Sequence, residues 1–429
     1  MKALNHFFEN NSFFLTCLQK ARQGQECFLV GGALRDALLG RKCADYDLIT
    51  PGDPTVLACH YAEQTGGSWF ILDPERRHSR VVCKNPQGNL SIDFAPFRCA
   101  DLEADLRDRD YTINAMALPL HSSDSQIFDP LSGLSDLRNG ILRSCSDNSF
   151  ANDPLRLLRG IRLALQFDME IETHTLFLMK NTVDLINQVA AERINKELGR
   201  IFSLDMASQA VYVMEELGLN RPLWGDAGLH GSIARGALWI EKFCALLLTL
   251  GRGNIDKTLS ECLEEGFSRA ALIKLGLFLR GYDPSEFNHL LKKLRFARKS
   301  RRLLDDLYHL SESLFCDWQK LRCGERGRAL WVESFGNYPL EMLLSLAALK
   351  APEPLGAVRF ISETWGNFLQ HKKDNQLRDL VEAKTLLREG INEESLSSVL
   401  KAIRREEIAG RVHNVDEALN FVRRQRKRD

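Results

Sequence analysis

Excess charge of either sign is missing from this sequence: 57 Lys and Arg balance 57 Asp and Glu. Overall charge therefore gives no hint of a nucleic-acid partner, and any such surface has to be local. Long apolar runs are missing too. The longest, such as Cys244 to Leu250, fall far short of the roughly 20 residues that span a bilayer. Eleven cysteines are scattered with no CxxC pair and no metal-ligand spacing, which reads as free thiols in a reducing compartment. The ten histidines form no HExxH or comparable cluster. Near the start, Glu9 and two Asn residues interrupt the apolar stretch that follows Lys2, so no secretory signal is expected. Fixed-period repeats and low-complexity tracts are likewise missing. A cytoplasmic protein with no membrane attachment is the expectation.

What is present is length and a change of pattern. The 429 residues suffice for about three compact units, each with its own core. From about 25 to 120, short strands are expected at Cys27–Val30, Tyr46–Thr50, Ser68–Leu72, Arg80–Cys83, Leu90–Phe94 and Thr112–Leu118, interspersed with helices. From about 150 onward, segments rich in Leu, Ala, Glu, Lys and Arg favour helix. The expected fold class is an α+β head, a mixed sheet with helices, followed by an all-helical neck, body and tail. The expected boundaries are 1–140, 141–205, 206–330 and 331–429.

One block carries chemistry. The apolar run Cys27–Val30 suits a buried strand, and Gly31-Gly32 then lets the backbone approach an anion at the start of a helix bearing Arg35. In the strand that follows, side chains alternate, so Asp45 and Asp47 point one way and Tyr46 the other. Two adjacent carboxylates repel unless a cation sits between them, and hard oxygens suit Mg²⁺ bridging a nucleotide's phosphates. A lone DxD would be a turn with two solvated acids. The order of Gly-Gly turn, cationic helix and DxD favours function. In Leu90–Phe94 the same alternation frees Asp93 to join the pair from a neighbouring strand, although it is also an ordinary exposed strand acid.

This arrangement resembles the nucleotidyltransferase family of class II, bacterial-type tRNA CCA-adding enzymes and bacterial poly(A) polymerases, and most of all its CC-adding enzymes. The resemblance is strong from Phe28 to Phe202, weaker beyond, and visible again over Leu386–Val422. It implies two Mg²⁺ ions held at Asp45 and Asp47 with Asp93 beside them, transfer of CTP to the tRNA 3′-hydroxyl, and release of pyrophosphate. On the same resemblance the four segments are a catalytic head, a base-reading neck, and a tRNA-binding body and tail.

Further motifs carry the resemblance. Arg109-Asp110-Tyr111-Thr112-Ile113-Asn114-Ala115 is similar to the family's RRDFTINA, whose Arg-Asp pair recognises the ribose; Asp108 replaces the first Arg. A carboxylate accepting from the 2′-hydroxyl gives a reason to prefer NTP over dNTP. Asp153-Pro154-Leu155-Arg156, with Arg159 and Arg162, resembles the neck helix that reads the incoming base, and Asn152 replaces the family's Glu. An Asp and an Arg three apart are expected on one helix face, where they complement cytosine N4 and N3 or adenine N6 and N1. The same residues also suit helix capping. Asp129–Leu137 and Ala191–Ile194 resemble architectural linkers. Leu279-Arg280 occupies the place where some relatives carry a His-Asp hydrolase motif, so hydrolase activity is not expected.

Basic stretches, Lys292, Lys293, Arg295, Arg298, Lys299, Arg301 and Arg302, then Arg423, Arg424, Arg426, Lys427 and Arg428, fit phosphate contacts and equally fit solvated helix faces. Only Cys99–Ala104 separates Arg98 from Asp105, whereas full CCA-adding and A-adding relatives usually carry a longer loop. The resemblance thus implies a CC-adding enzyme, with a separate enzyme adding the terminal A. A complete CCA-adding enzyme using ATP as well, an A-adding enzyme and a poly(A) polymerase are the alternatives. A catalytically dead RNA-binding module is a further one, against which the intact Asp45, Asp47, Asp110, Asp153 and Arg156 argue.

Overall fold

The computed structural model describes residues 7–9, 11–43, 45–85, 88–120, 126–225, 229–250, 254–310, 324–350, 354–374 and 377–426. The chain forms two compact units, Met1–Ala190 with Glu216–Leu223, and Ala191–Glu215 with Trp224–Asp429. The expected head and most of the expected neck fall in the first unit, and the expected body, apart from Glu216–Leu223, and the tail in the second.

Among the described residues the first unit holds a six-stranded mixed sheet. Its strands are β1 (Phe28–Val30), β2 (Asp45–Thr50), β3 (Ser68–Asp73), β4 (His78–Asn85), β5 (Gly88–Pro96) and β6 (Ala117–Pro119), in the order β3-β4-β5-β2-β1-β6. Only β2 and β5 pair in parallel. One face carries Tyr46, Leu48, Val81, Ile92 and Phe94, all buried. Helices Ser12–Ala21 and Pro54–Thr65 close over it, with Phe14 against Tyr46 and Tyr61 against Phe94. Helix Pro54–Thr65 is bounded by local chemistry: Asp53 accepts from the Thr55 amide, proline opens the first turn, and Gly66 ends it at φ 63°.

The other face is covered unevenly. Val30 and Ile49 bury themselves against Leu106, Ala115 and Ala117, which roofs the β1–β2 side. The β4–β3 side carries exposed and half-buried residues.

Three expectations change. Thr112–Leu118 is not one strand: Thr112–Asn114 is a 3₁₀ turn and the strand is only Ala117–Pro119. The Thr112 hydroxyl donates to Asp136 and the Asn114 side-chain amide to Asp110, while the backbone amides of Asn114 and Ala115 bond back to Tyr111 and Thr112 and close the turn. The neck region carries short parallel strands, Ile141–Leu142 with Glu170–Ile171. The second unit, otherwise helical over its described residues, contains the hairpin Cys262–Glu264 and Phe267–Ser268, turned by Gly266 at φ +92°.

Two features lock the Arg109–Ala115 segment. Asp129 accepts from the Gly133 and Leu134 amides, and Asp136 takes the Thr112 hydroxyl and Arg143. Tyr111, fully buried, donates its hydroxyl to the Arg156 carbonyl at 2.7 Å. Gly160 makes room for that ring, since a Cβ there would strike the Tyr111 hydroxyl and lie 2.8 Å from Cζ. Gly160→Ala is therefore expected to destabilise the protein by about 1–3 kcal/mol through overpacking, measured by denaturant unfolding. An unchanged midpoint would mean that Tyr111 is free to move aside.

Candidate active site

The alternation expected of β2 is what the fold shows. Asp45 and Asp47 are exposed on one face while Tyr46 and Leu48 are buried on the other. Asp47 lies opposite Asp93 on β5 and opposite Val30 on β1. Directly after Val30, Gly31 adopts φ +70° and opens helix Gly31–Leu38. A Cβ on Gly31 would sit 3.2 Å from Asp47 Oδ2 and 3.5 Å from Arg109 Nη1. The backbone conformation thus favours glycine, and the space is tight, where the helix N-terminus meets the Asp47 carboxylate.

Asp47 is exposed by area yet ringed by protein on its inner side. That desolvation pushes its carboxyl above the ordinary range, Asp93 adds to the effect, and Arg109 and Arg98 oppose it. Among the described residues, no group of three or more His, Cys, Asp or Glu side chains is placed to hold a metal ion by itself. The carboxylate pair fits another kind of site. Mg²⁺ commonly takes one or two carboxylates and completes its shell with water and substrate phosphates. Asp93 has a different partner, because Arg80 on β4 grips it with two bonds of 2.6 and 2.7 Å.

Asp110 is the hub of a second group. It accepts from the Tyr111 amide at 2.8 Å, Asn114 at 3.1 Å and Arg159 at 2.9 Å. Burial acts to raise this carboxyl, but Arg159, Asn114 and the amide outweigh it and hold the group below the ordinary carboxylate range. Asn114 accepts in turn from Arg35 at 2.7 Å. Arg35 also bonds Asp36 and stacks 4.2 Å over Phe167. Arg109 is held by the fully buried Asp105, which also accepts the Arg98 amide. Gly32 lies beside the Arg35 guanidinium, and Arg162 bonds Gln166 one turn along its helix.

The base-reading pair differs from expectation in its backbone. Asp153 does not share a helix face with Arg156: it is extended at φ −148°, ψ 95°, and the helix runs Arg156–Phe167. Pro154 disfavours helical geometry at the residue before it. Arg156 is buried and donates to the carbonyls of Asp108, Arg109 and Ser149 and to the Ser149 hydroxyl.

Residues 27–143 match the poly A polymerase head domain, and residues 168–224 match the probable RNA and SrmB- binding site of polymerase A. A CC-adding tRNA nucleotidyltransferase of Geobacter sulfurreducens is 39% identical over 60% of this chain and 60% of its own length. The multifunctional CCA protein of Neisseria meningitidis serogroup A is 32% identical over 68% of this chain and 72% of its own. This chain belongs to the CCA-adding tRNA nucleotidyltransferase family. A solved CCA-adding enzyme in complex with CTP shares the fold, with a TM-score of 0.76 at 23% identity over 99% of this chain and 97% of that one. The chain spans about half to three fifths of the length of the CC-adding relatives it matches.

For this family member, sequence reasoning missed Arg80, Asp105 and Asp36: strand pairing alone brings Arg80 to Asp93, whereas Asp105 and Asp36 act on Arg109 and Arg35, close to them in sequence. The signal for Asp105 was present, since an Asp four residues before Arg109 is a helix-type pairing distance. In the second unit Lys292, Lys293, Arg295, Arg298, Lys299, Arg301 and Arg302 are all exposed, on helices Pro284–Lys293 and Arg298–Tyr308 and the turn between them. Arg295 sits at φ +52° in that turn and pairs with Glu192. Arg423 pairs with Glu389 at 2.6 Å, while Lys427 and Arg428 lie outside the described residues. Leu279-Arg280 is structural here: Leu279 is buried, and Arg280 donates to the Leu307 and Tyr308 carbonyls. No helix among the described residues is long and apolar enough to cross a membrane.

The raised carboxyl at Asp47 has a thermodynamic sign. Such a group favours the fold below its unfolded pKa and loses that contribution as pH rises through the folded value, so the ionised carboxylate is unfavourable in the metal-free protein. Asp47→Asn is expected to raise the metal-free Tm at pH 7 and to remove the Tm gain on adding Mg²⁺. An equal Mg²⁺-dependent gain in both proteins would place the ion elsewhere.

Proposed function

We propose that this chain adds the two cytidines of the 3′-terminal CCA to tRNA, transferring CMP from CTP, and that a separate enzyme adds the final adenosine. The acceptor 3′-oxygen forms a bond to the α-phosphorus as the bond to the β-phosphate bridge breaks, and pyrophosphate leaves. Two Mg²⁺ ions held by Asp45 and Asp47 beside Asp93 would neutralise phosphate charge and favour the acceptor alkoxide. Gly31 and Gly32 open the backbone to the triphosphate, and Arg35 and Arg109 supply positive charge to it. Asp110, kept ionised by Arg159, accepts from the ribose 2′-hydroxyl with Asn114 at its side.

Base choice falls to Asp153 and Arg156, with Arg162 further along the helix. Asp153 accepts from cytosine N4, and Arg156 donates to N3 after exchanging one of its carbonyl partners. Uracil presents an acceptor and a ring donor in those places and leaves both charges unpaired. The exposed bases Lys292, Lys293, Arg295, Arg298 and Lys299 would neutralise tRNA phosphates.

The observation that carries the CC-adding reading is the Arg98–Asp105 segment. It is short, and it is tied at both ends of its turn. Asp105 accepts the Arg98 amide at 2.8 Å, and Asp101 caps helix Leu102–Arg107. A base site bordered by so short a tether has no loop to reshape it for adenine. The multifunctional relative keeps a complete CCA-adding activity as the second reading.

The test offers tRNA lacking CCA, ending in C or ending in CC, with CTP or ATP alone, and reads the 3′ end. Two CMP additions and no use of ATP are expected. AMP added once to the CC end would establish the complete or A-adding reading, a long A tract a polymerase, and no extension in any combination an RNA-binding module. Asp45→Ala is expected to abolish addition with tRNA affinity nearly intact. Asp110→Asn is expected to cut the preference for CTP over dCTP by about tenfold or more, the worth of one charged hydrogen bond. A preserved preference would show that another group reads the ribose.

A further inference from the structure

The face of the head sheet that bears the carboxylates continues past them, and its outer half is bare. Strand register lines up Asp47, Asp93, Arg80 and Phe70 in one row across β2, β5, β4 and β3, and Asp45, Ser91, Val82 and Ser68 in the next. Every residue in these rows is exposed or half-buried, whereas the alternating residues of β2, β5 and β4 are buried beneath the helices of the opposite face. Phe70 is 44% exposed and Val82 40%. An aromatic ring left open in line with an arginine and two carboxylates is an uncommon use of a sheet face.

In-line displacement assigns the two sides of the carboxylates. Attacking oxygen and departing pyrophosphate lie on opposite sides of the α-phosphorus. Gly31, the helix N-terminus and Arg109 stand on the β1 side of Asp47, where the triphosphate would bind. The acceptor therefore enters from the β5–β4–β3 side. Phe70 lies two strands beyond Asp93, about 10 Å away at ordinary strand spacing. Arg80 is oriented between them by Asp93, a pairing that takes two of its five N–H donors.

We propose that this outer half of the face, Arg80 with Phe70, seats the single-stranded 3′ end of the acceptor RNA, Phe70 stacking on its terminal base and Arg80 meeting its terminal phosphate. Stacking on a π-face tolerates any base. That suits an enzyme whose acceptor end changes after each addition. The inference rests on the nucleotidyl-transfer reading for its direction of entry. The rival occupant is a protein strand pairing with the edge strand β3, whose Trp69, Ile71 and Leu72 are also exposed.

Two measurements on the full chain decide it. A tRNA ending in 5-iodocytidine is photo-crosslinked to the protein and the attachment mapped by mass spectrometry, and steady-state addition is compared for Phe70→Ala and Phe70→Tyr. The expected results are attachment within the β3 strand and a loss of about tenfold in kcat/KM for tRNA in Phe70→Ala, the scale of one lost stack. KM for CTP should stay unchanged, and Phe70→Tyr should keep wild-type behaviour. Attachment elsewhere, unchanged tRNA kinetics, or a parallel rise in KM for CTP overturns the proposal. So does a dimer in sedimentation that Phe70→Ala dissociates without altering tRNA kinetics, which would assign β3 to a protein. Should the wild-type chain add no nucleotide at all, the transfer reading fails, and the crosslink alone still decides whether this face holds the RNA end.

Discussion

Like-charge crowding on one sheet face is the constraint around which the first unit is built. Asp45 and Asp47 share a strand face, and parallel pairing places Asp93 directly across from Asp47. Left alone, three carboxylates so placed would repel one another. The fold surrounds them with cations instead: Arg80 holds Asp93, while Arg109 and Arg98 act on Asp47. Asp47 nevertheless remains raised, because desolvation, with Asp93 adding to it, outweighs those cations, so the compensation is incomplete. An incompletely compensated acid that faces solvent is suited to a hard divalent cation, which can take phosphate oxygens as its other ligands.

The arginines do not act alone, since most are fixed by a second partner. Asp105 is completely buried, and it sets both the Arg109 guanidinium and the Arg98 amide. Asp110 joins the turn after Arg109 to Arg159 on helix Arg156–Phe167, and Asn114 extends the chain to Arg35. Tyr111 donates to the Arg156 carbonyl, and the Arg156 guanidinium donates to the Arg109 carbonyl over the same ground. Positioning by networks of this kind makes a site geometrically definite before substrate arrives.

Much of this was legible from pattern alone. The Gly-Gly turn and the DxD alternation follow from local rules, and the fold keeps both. The family resemblance pointed to Asp110 and Arg109, and the structure gives each a defined set of partners. Legibility failed where a side chain overruled the backbone. Thr112–Leu118 carries strand-forming residues, yet the Thr112 and Asn114 side chains are taken by Asp136 and Asp110, and Thr112–Asn114 closes as a 3₁₀ turn. Asp153 was expected on a helix face with Arg156, but Pro154 keeps it extended. Arg80 carried no local signal, because its partner lies 13 residues away on the neighbouring strand.

The amino-acid order by itself determined the elements whose causes are short-range: strand alternation at Asp45 and Asp47, the glycine-led helix start, and the capped helix after Asp53. It also determined that the part after about 150 would be mainly helical, since propensity and periodicity act over a few residues. Register was decided only by tertiary structure. Which residue of β5 faces Asp47, which of β4 faces Asp93, and that Phe70 closes the same row are consequences of pairing between strands distant in sequence, and a shift of one residue would have turned each side chain to the opposite face.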